Sequence, residues 1–185
     1  MQRGQIDKSQ NGFKKNMNVL YILMRTDLPS MNAGKAMAQA AHAANKAEAH
    51  ALKLENSKLL GQWYDWCSQT NQNFGTTIVL GATIGDIDFS LKDSEFGFQT
   101  DLYFCDRVID PTYPYIIDNS EIYKLIDPKI HTSDPIFRYT DDASKIIDTE
   151  APVVAFREET TCAYFFGDKN TIERAGLLSH LELHP

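Results

Sequence analysis

Three cysteines, Cys67, Cys105 and Cys162, are all the thiols that 185 residues provide. Their count is odd, no pair has C-x-x-C spacing and no histidine cluster lies near them. Neither a disulfide framework nor a zinc site is expected, and a reduced, cytoplasmic setting follows. Long apolar runs are also missing. None approaches the roughly 18 residues needed to cross a bilayer, and residues 1–16, MQRGQIDKSQNGFKKN, contain nothing like the apolar core of a signal peptide. No membrane partner is therefore expected. Nor is there a surplus of positive charge. The formal charge is −7, so a nucleic acid would have to be gripped by a local patch. Arg3, Lys8, Lys14 and Lys15 against Asp7 form one candidate patch. The plainer reading of residues 1–16 is a disordered tail. Repeats and low-complexity tracts are absent.

What is present suffices for one core. With 43% hydrophobic and 11% aromatic residues, a chain of this length is expected to form a single domain over 17–185. Met17–Met24, MNVLYILM, is uninterruptedly apolar, as in a strand covered on both faces. From Gly34 to about Leu59 there is no proline and much Ala, Lys, Glu and Leu, which predicts one long helix or two. Leu60–Gln72, with Trp63 and Trp66, predicts another. Thr76–Ala82 and Asp101–Val108 read as strands separated by a short crossover helix within Thr83–Phe98. Ala151–Phe156 and Thr160–Phe166 read as two later strands, Asn170–Ser179 as a closing helix, and LELH as a short tail strand. This order predicts a three-layer α/β domain. Residues 113–150 break the pattern: 38 residues with three prolines, eight acidic and four basic side chains and no sustained period, read as an elaborated, acidic insertion.

The predicted helix from Gly34 carries the chemistry. At about 100° per residue, Lys35, Gln39 and His42 fall within one narrow arc, while Ala36, Ala40, Ala43, Ala44 and Ala47 make a neighbouring small-residue face. Small side chains let a helix lie close on a sheet and aim the polar row beside it. A lysine in the first turn has the wrong sign for the helix dipole. An ammonium beside exposed N–H groups makes a place for a phosphate or a developing oxyanion. Taken singly, each of these residues is more often solvated or packed than catalytic. Their shared arc is what raises them together.

The run Arg25-Thr-Asp27-Leu, then Met31, Gly34-Lys35, Gln39 and His42-Ala43 resembles the signature R-x-D-L-x-M-x-x-G-K-x-x-x-Q-x-x-H-A of the Pth2 type of peptidyl-tRNA hydrolase, with one extra residue in the linker. Weaker similarity continues through the tryptophan-bearing helix, TTIVLGA, DLYFCD and SHLEL. The resemblance implies a three-layer α/β/α sandwich on a mixed four-stranded sheet, hydrolysis of the ester joining a peptide to tRNA, tRNA as partner, a possible homodimer, and no metal or organic cofactor. It implies Lys35, Asp106, Thr161 and His42 as catalytic residues, and Arg25, Asp27, Gly34, Gln39 and Asp110 on the substrate. Asp106 matches the family's D-A-G-x-T aspartate in a changed context, D-R-V-I-D. Asp110 then stands at the first threonine position, and Thr161 or Thr160 supplies the second. Asp106 would hold the water and Lys35 the oxyanion or the terminal phosphate. An added carboxylate at 110 would repel tRNA or pair with Lys35. A binding protein on the same fold, using 113–150 to hold a protein partner with its hydrolase chemistry weakened, is the alternative. An esterase or amidase acting on a smaller aminoacyl or peptidyl conjugate is the third reading.

Overall fold

The computed structural model describes residues 17–28, 31–55, 57–97, 102–117, 136–137 and 153–185. The expected tail, 1–16, and most of the expected insertion lie outside the described residues. β1 (Asn18–Arg25) is followed by α1 (Ala33–Lys53), α2 (Lys58–Cys67), β2 (Thr77–Ala82), α3 (Ile84–Gly97), β3 (Tyr103–Ile117), β4 (Ile136–Phe137), β5 (Val153–Asp168), α4 (Lys169–Ala175) and β6 (Glu182–Leu183). The sheet runs β3-β5-β1-β2-β6, with β4 on β5. β1 and β2 are parallel and the other pairings antiparallel. The sheet is mixed, as expected, but five strands lie along it rather than four.

Local chemistry sets the helix ends. Asn32 caps α1 by accepting from Lys35 N at 2.9 Å, which takes up one of the N–H groups expected to lie open there. α1 stops at Lys53, and Ser57 starts α2 by accepting from Leu60 N, so the alanine-rich segment forms one helix and α2 is the tryptophan-bearing helix expected next. At α3, Thr83 and Asp86 bond reciprocally, Thr83 N to Asp86 Oδ2 at 2.8 Å and Asp86 N to Thr83 Oγ1 at 3.2 Å. This is a capping box with aspartate in the third position. Gly176, with φ +73°, closes α4 in the left-handed region, where only a residue without Cβ sits without strain.

Both sheet faces are covered, which is why β1 is apolar throughout. Leu20, Ile22, Met24, Phe104, Val108, Tyr164 and Phe166 meet Ala43, Ala47 and Ala51 of α1 and Leu59, Trp63 and Trp66 of α2. Val19, Tyr21, Leu23, Tyr103 and Phe165 meet Ile87 of α3 and Ile172 of α4. The three layers are thus α1 and α2, the sheet, and α3 with α4. The tryptophans pack in the core, and the Trp66 indole donates to Thr76 O at 2.8 Å. Two strands are longer than the sequence suggests. β3 runs on through Asp110–Ile117, and β5 is one strand from Val153 to Asp168 where two were expected. Beyond the edge of β1 they continue pairing with each other as far as Ile117 and Val153, with β4 paired on β5 at Phe156 and Ala155, so the first residues of the expected insertion belong to this arm.

Candidate functional site

α1 crosses β3 head to tail, so ascending helix positions meet descending strand positions. Lys35 meets Tyr113, Gln39 meets Asp110, and Lys46 meets Arg107 and Asp106. Two irregularities bracket the middle contact. Val108 pairs with Cys162 and Ile109 with Thr160, which leaves Thr161 as an extra residue in β5. Asp110 pairs with Glu159 and Tyr113 with Arg157, so Pro111 and Thr112 together oppose Glu158 alone. A bulge bends its strand and re-aims the residues around it. Here one bulge in each strand sets the directions of Thr161 and Asp110.

The hydrogen bonds then fix one another. An Asp110 carboxylate can only accept, so Gln39 must present Nε2 to Asp110 Oδ2, at 2.8 Å. Gln39 Oε1 is left to accept the hydroxyl proton of Thr161 at 2.7 Å. Thr161 is fully buried, and its Oγ1 also lies 3.4 Å from Val108 O. Thr112 N donates to Asp110 Oδ1 at 2.9 Å. With a fixed donor on each oxygen the carboxylate cannot turn, and each oxygen keeps a lone pair for something else. Asp110 lines an open pocket of about 470 Å³, together with Gln39, His42, Lys46, Val108, Ile109, Pro111 and Thr112. His42 is exposed on its wall. One carboxylate, one imidazole and one ammonium therefore border a space large enough for an acyl group and part of a ribose.

The sequence expected Asp106 and Lys35 in a shared hollow, and the geometry differs. Asp106 is paired with Lys46, Nζ to Oδ2 at 2.8 Å, and Lys46 Nζ also donates to Arg107 O at 2.6 Å. Lys35 and Lys46 are 11 positions apart on α1, about 16 Å of helix rise. Lys35 Nζ lies 5.0 Å from the ring centre of Tyr113, a cation–π contact. Partial burial holds the Lys35 pKa below the ordinary lysine value. Tyr113 is fully buried, and its hydroxyl reaches Met31 Sδ at 3.7 Å. Asp110 does not pair with Lys35, as one sequence reading allowed, but accepts from Gln39.

Arg25 and Asp27 are turned toward each other rather than toward the pocket. Arg25, only 6% exposed, donates Nε to Asp27 at 2.6 Å, and Nη1 to Glu159 at 2.7 Å and to Thr160 O at 2.9 Å. Burial alone would lower its pKa. The bonds to Asp27 and Glu159 outweigh that and raise it. Burial likewise works to raise the Asp27 pKa, but Arg25 and Ile84 N, at 3.1 Å in the first turn of α3, bring it below the usual aspartate value. Gly34 is exposed in the first turn of α1, where a Cβ would come within 3.4 Å of the capping Asn32 Oδ1.

Sequence reasoning passed over Lys46 and Thr112. Lys46 was findable: it continues the Lys35, Gln39, His42 row by one more turn. Thr112 was not, because it contributes its backbone N–H. Among the described residues no cluster of three or more His, Cys, Asp or Glu side chains could hold a metal. No described helix is long and apolar enough to cross a membrane.

Compared with known families, residues 18–77 match the model described as Peptidyl-tRNA hydrolase PTH2. The matched segment holds β1, α1, α2 and the start of β2, and with it Arg25, Lys35, Gln39, His42 and Lys46. No curated protein matches the chain at a significant level.

Proposed function

On the Pth2-type assignment that the match over residues 18–77 supports, we propose that the chain hydrolyses the ester of peptidyl-tRNA and releases free tRNA and peptide, with Asp110 rather than Asp106 as its working acid. One observation carries this reading. The Asp110 carboxylate is fixed by Gln39 and Thr112, Gln39 is itself fixed by Thr161, and the carboxylate borders the pocket that His42 and Lys46 also line. A lone pair of Asp110 holds a water and takes its proton as the water oxygen attacks the ester carbonyl carbon. The carbonyl oxygen becomes an oxyanion, and Lys46 is the ammonium on that wall. When the carbon–ribose oxygen bond breaks, the proton returns to the ribose oxygen through His42 or a second water. Thr161 is a positioning residue in this scheme, since its hydroxyl faces Gln39. A cytoplasmic setting and tRNA as the partner follow from the same reading, and a homodimer is compatible with it.

The test is turnover of peptidyl-tRNA by the full chain. Asp110→Asn lowers kcat/KM by at least about a hundredfold, and Asp106→Asn by less than about tenfold. The reverse ranking would return the acid to Asp106 and remove the proposal.

A second reading rests on Lys35. Its ammonium lies on the fully buried ring of Tyr113, at the root of the arm that leads into 118–152. A binding protein on the Pth2 fold, with that acidic segment as its contact for a protein partner, would have this arrangement. Native chain that fails to turn over peptidyl-tRNA even at low salt, where tRNA is held most tightly, favours it.

A further inference from the structure

The pocket beside Asp110 is short of positive charge. Its lining contains one carboxylate, Asp110, and one ammonium, Lys46. That ammonium is already engaged, since Lys46 Nζ lies 2.8 Å from Asp106 Oδ2 and donates to Arg107 O at 2.6 Å. The two donors on Asp110 are uncharged: Gln39 Nε2 on Oδ2 at 2.8 Å and Thr112 N on Oδ1 at 2.9 Å. Two acids, Asp106 and Asp110, are thus set against the single ammonium of this wall. A carboxylate also has about four acceptor sites. Gln39 and Thr112 occupy one on each oxygen, and the water of the proposed hydrolysis takes a third. The fourth is left for the substrate.

What a substrate can offer there follows from where the bond breaks. Water attacks the ester carbonyl carbon, and the α-nitrogen of the esterified residue is only two bonds from that carbon. In a peptidyl ester this nitrogen is a neutral amide N–H. In an aminoacyl ester it is an ammonium. Charge-assisted hydrogen bonds are roughly twice as strong as neutral ones. Opposite charges also attract across the width of a partly desolvated pocket, whichever rotamer the acyl group adopts. The phosphates of the tRNA meet the same repulsion in either case, so the excess of negative charge discriminates by the acyl group alone.

We propose that the substrates of this pocket include aminoacyl esters with a free α-ammonium, and that Asp110 favours them over N-acylated esters, with Asp106 offsetting the competing charge of Lys46. The inference rests on the hydrolase reading above and names its substrate class. The reaction is unchanged: the water oxygen bonds to the carbonyl carbon and the bond to the ribose oxygen breaks. One water proton passes to that ribose oxygen and the other leaves with the new carboxyl group, giving a free amino acid and tRNA.

The experiment compares kcat/KM of the full chain on one tRNA carrying phenylalanine, N-acetylphenylalanine or phenyllactate, at about pH 6.5, below the ordinary α-amino pKa. Each rate is corrected for hydrolysis without protein. The phenylalanyl ester is cleaved about tenfold faster than the N-acetyl ester, and the phenyllactyl ester, with a hydroxyl in place of the amine, no faster than the N-acetyl one. Ile109 borders the same pocket and is 44% exposed. Ile109→Lys adds an ammonium there and brings the ratio towards one, as does Asp106→Asn, which removes one of the acids. The neutral Ile109→Gln keeps the native ratio. A native chain that cleaves N-acetylphenylalanyl-tRNA as fast as phenylalanyl-tRNA, or faster, overturns the inference and leaves the hydrolase reading standing. A ratio that neither Ile109→Lys nor Asp106→Asn moves also overturns it. Cleavage of none of the three esters removes both.

Discussion

Two polar clusters stand at the same end of the sheet, two residues apart along β5, and differ in what they open onto. Arg25, Asp27 and Glu159 form an ion cluster closed in by the end of β1 and the start of α3. Asp110, Gln39 and Thr161 form a hydrogen-bonded relay whose last member faces a pocket. Both draw on the short segment between Arg25 and Gln39 that looks, in sequence, like one signature. Its first half fastens three elements together and its second half aims a carboxylate. A stretch that reads as one signature can thus divide into a half that ties elements together and a half that borders a pocket.

The strongest way to break this contrast is Arg25→Ala. Removing the guanidinium takes from Glu159 and Asp27 their shared cation, and stability falls by about 3 kcal/mol, at the low end for a buried pair because Asp27 keeps access to water. Urea unfolding measures it. Turnover per folded molecule falls by less than about tenfold. A variant with native stability and abolished turnover would place Arg25 on the substrate after all.

Gln39→Leu sharpens the other side. It strips Asp110 of a donor and leaves Thr161 only the longer contact to Val108 O. Turnover of peptidyl-tRNA falls by about ten- to a hundredfold, with a stability loss of about 1–3 kcal/mol. Thr161→Val alters the relay one step further from the pocket and has the smaller kinetic effect of the two. Equal losses would mean that Thr161 touches the substrate directly.

These contrasts also mark what the sequence could and could not tell. β1, α1 and β2 were legible because their signals are local: an unbroken apolar run, an alanine face, a β-branched strand. The choice between Asp106 and Asp110 was not. Both lie on one strand, four residues or about 13 Å apart, and which of them meets Gln39 depends on where α1 crosses β3 and on two bulges. Those are tertiary facts without a local signature. The continuity of β5 was hidden for a related reason. Arg157, Glu158 and Glu159 look like a loop until Arg25 is seen to give Glu159 a partner. The tail strand was legible as LELH, and β6 stands within it, pairing with Leu80 and Gly81; the count of four strands came from the family resemblance rather than from the residues.

A smaller effect tests the start of α1, which sets Lys35 on Tyr113. Asn32→Ala removes the acceptor for Lys35 N and lowers stability by about 1 kcal/mol. Its circular dichroism at low temperature stays native, because the alanine face holds the rest of the helix against the sheet. If the first turn frays and Lys35 leaves Tyr113, tRNA affinity becomes the sensitive readout. The hydrolase reading expects tighter binding at low salt, and the binding-protein reading expects no change in tRNA affinity.

The smallest effect is a pH dependence about three turns beyond the relay on the same helix. His50 contacts the Tyr164 hydroxyl at 2.9 Å and packs on Phe104, with ring centres 4.8 Å apart. Burial holds its pKa below the ordinary histidine value. The nearby Asp106 carboxylate opposes that shift, while Lys46 and Lys53 add to it. The sign follows from linkage: the unfolded chain binds this proton more readily than the folded one. The folded state is therefore favoured most above the ordinary histidine pKa of about 6.5 and loses that advantage as pH falls through the lower folded value. Asp27 also has a depressed pKa, but its contribution disappears only below the aspartate range, so the two windows do not overlap. Tm measured from about pH 8 to about pH 5 should show a modest decline in the native chain that is flattened in His50→Gln. Parallel curves for the two proteins would mean that the titrating group lies elsewhere.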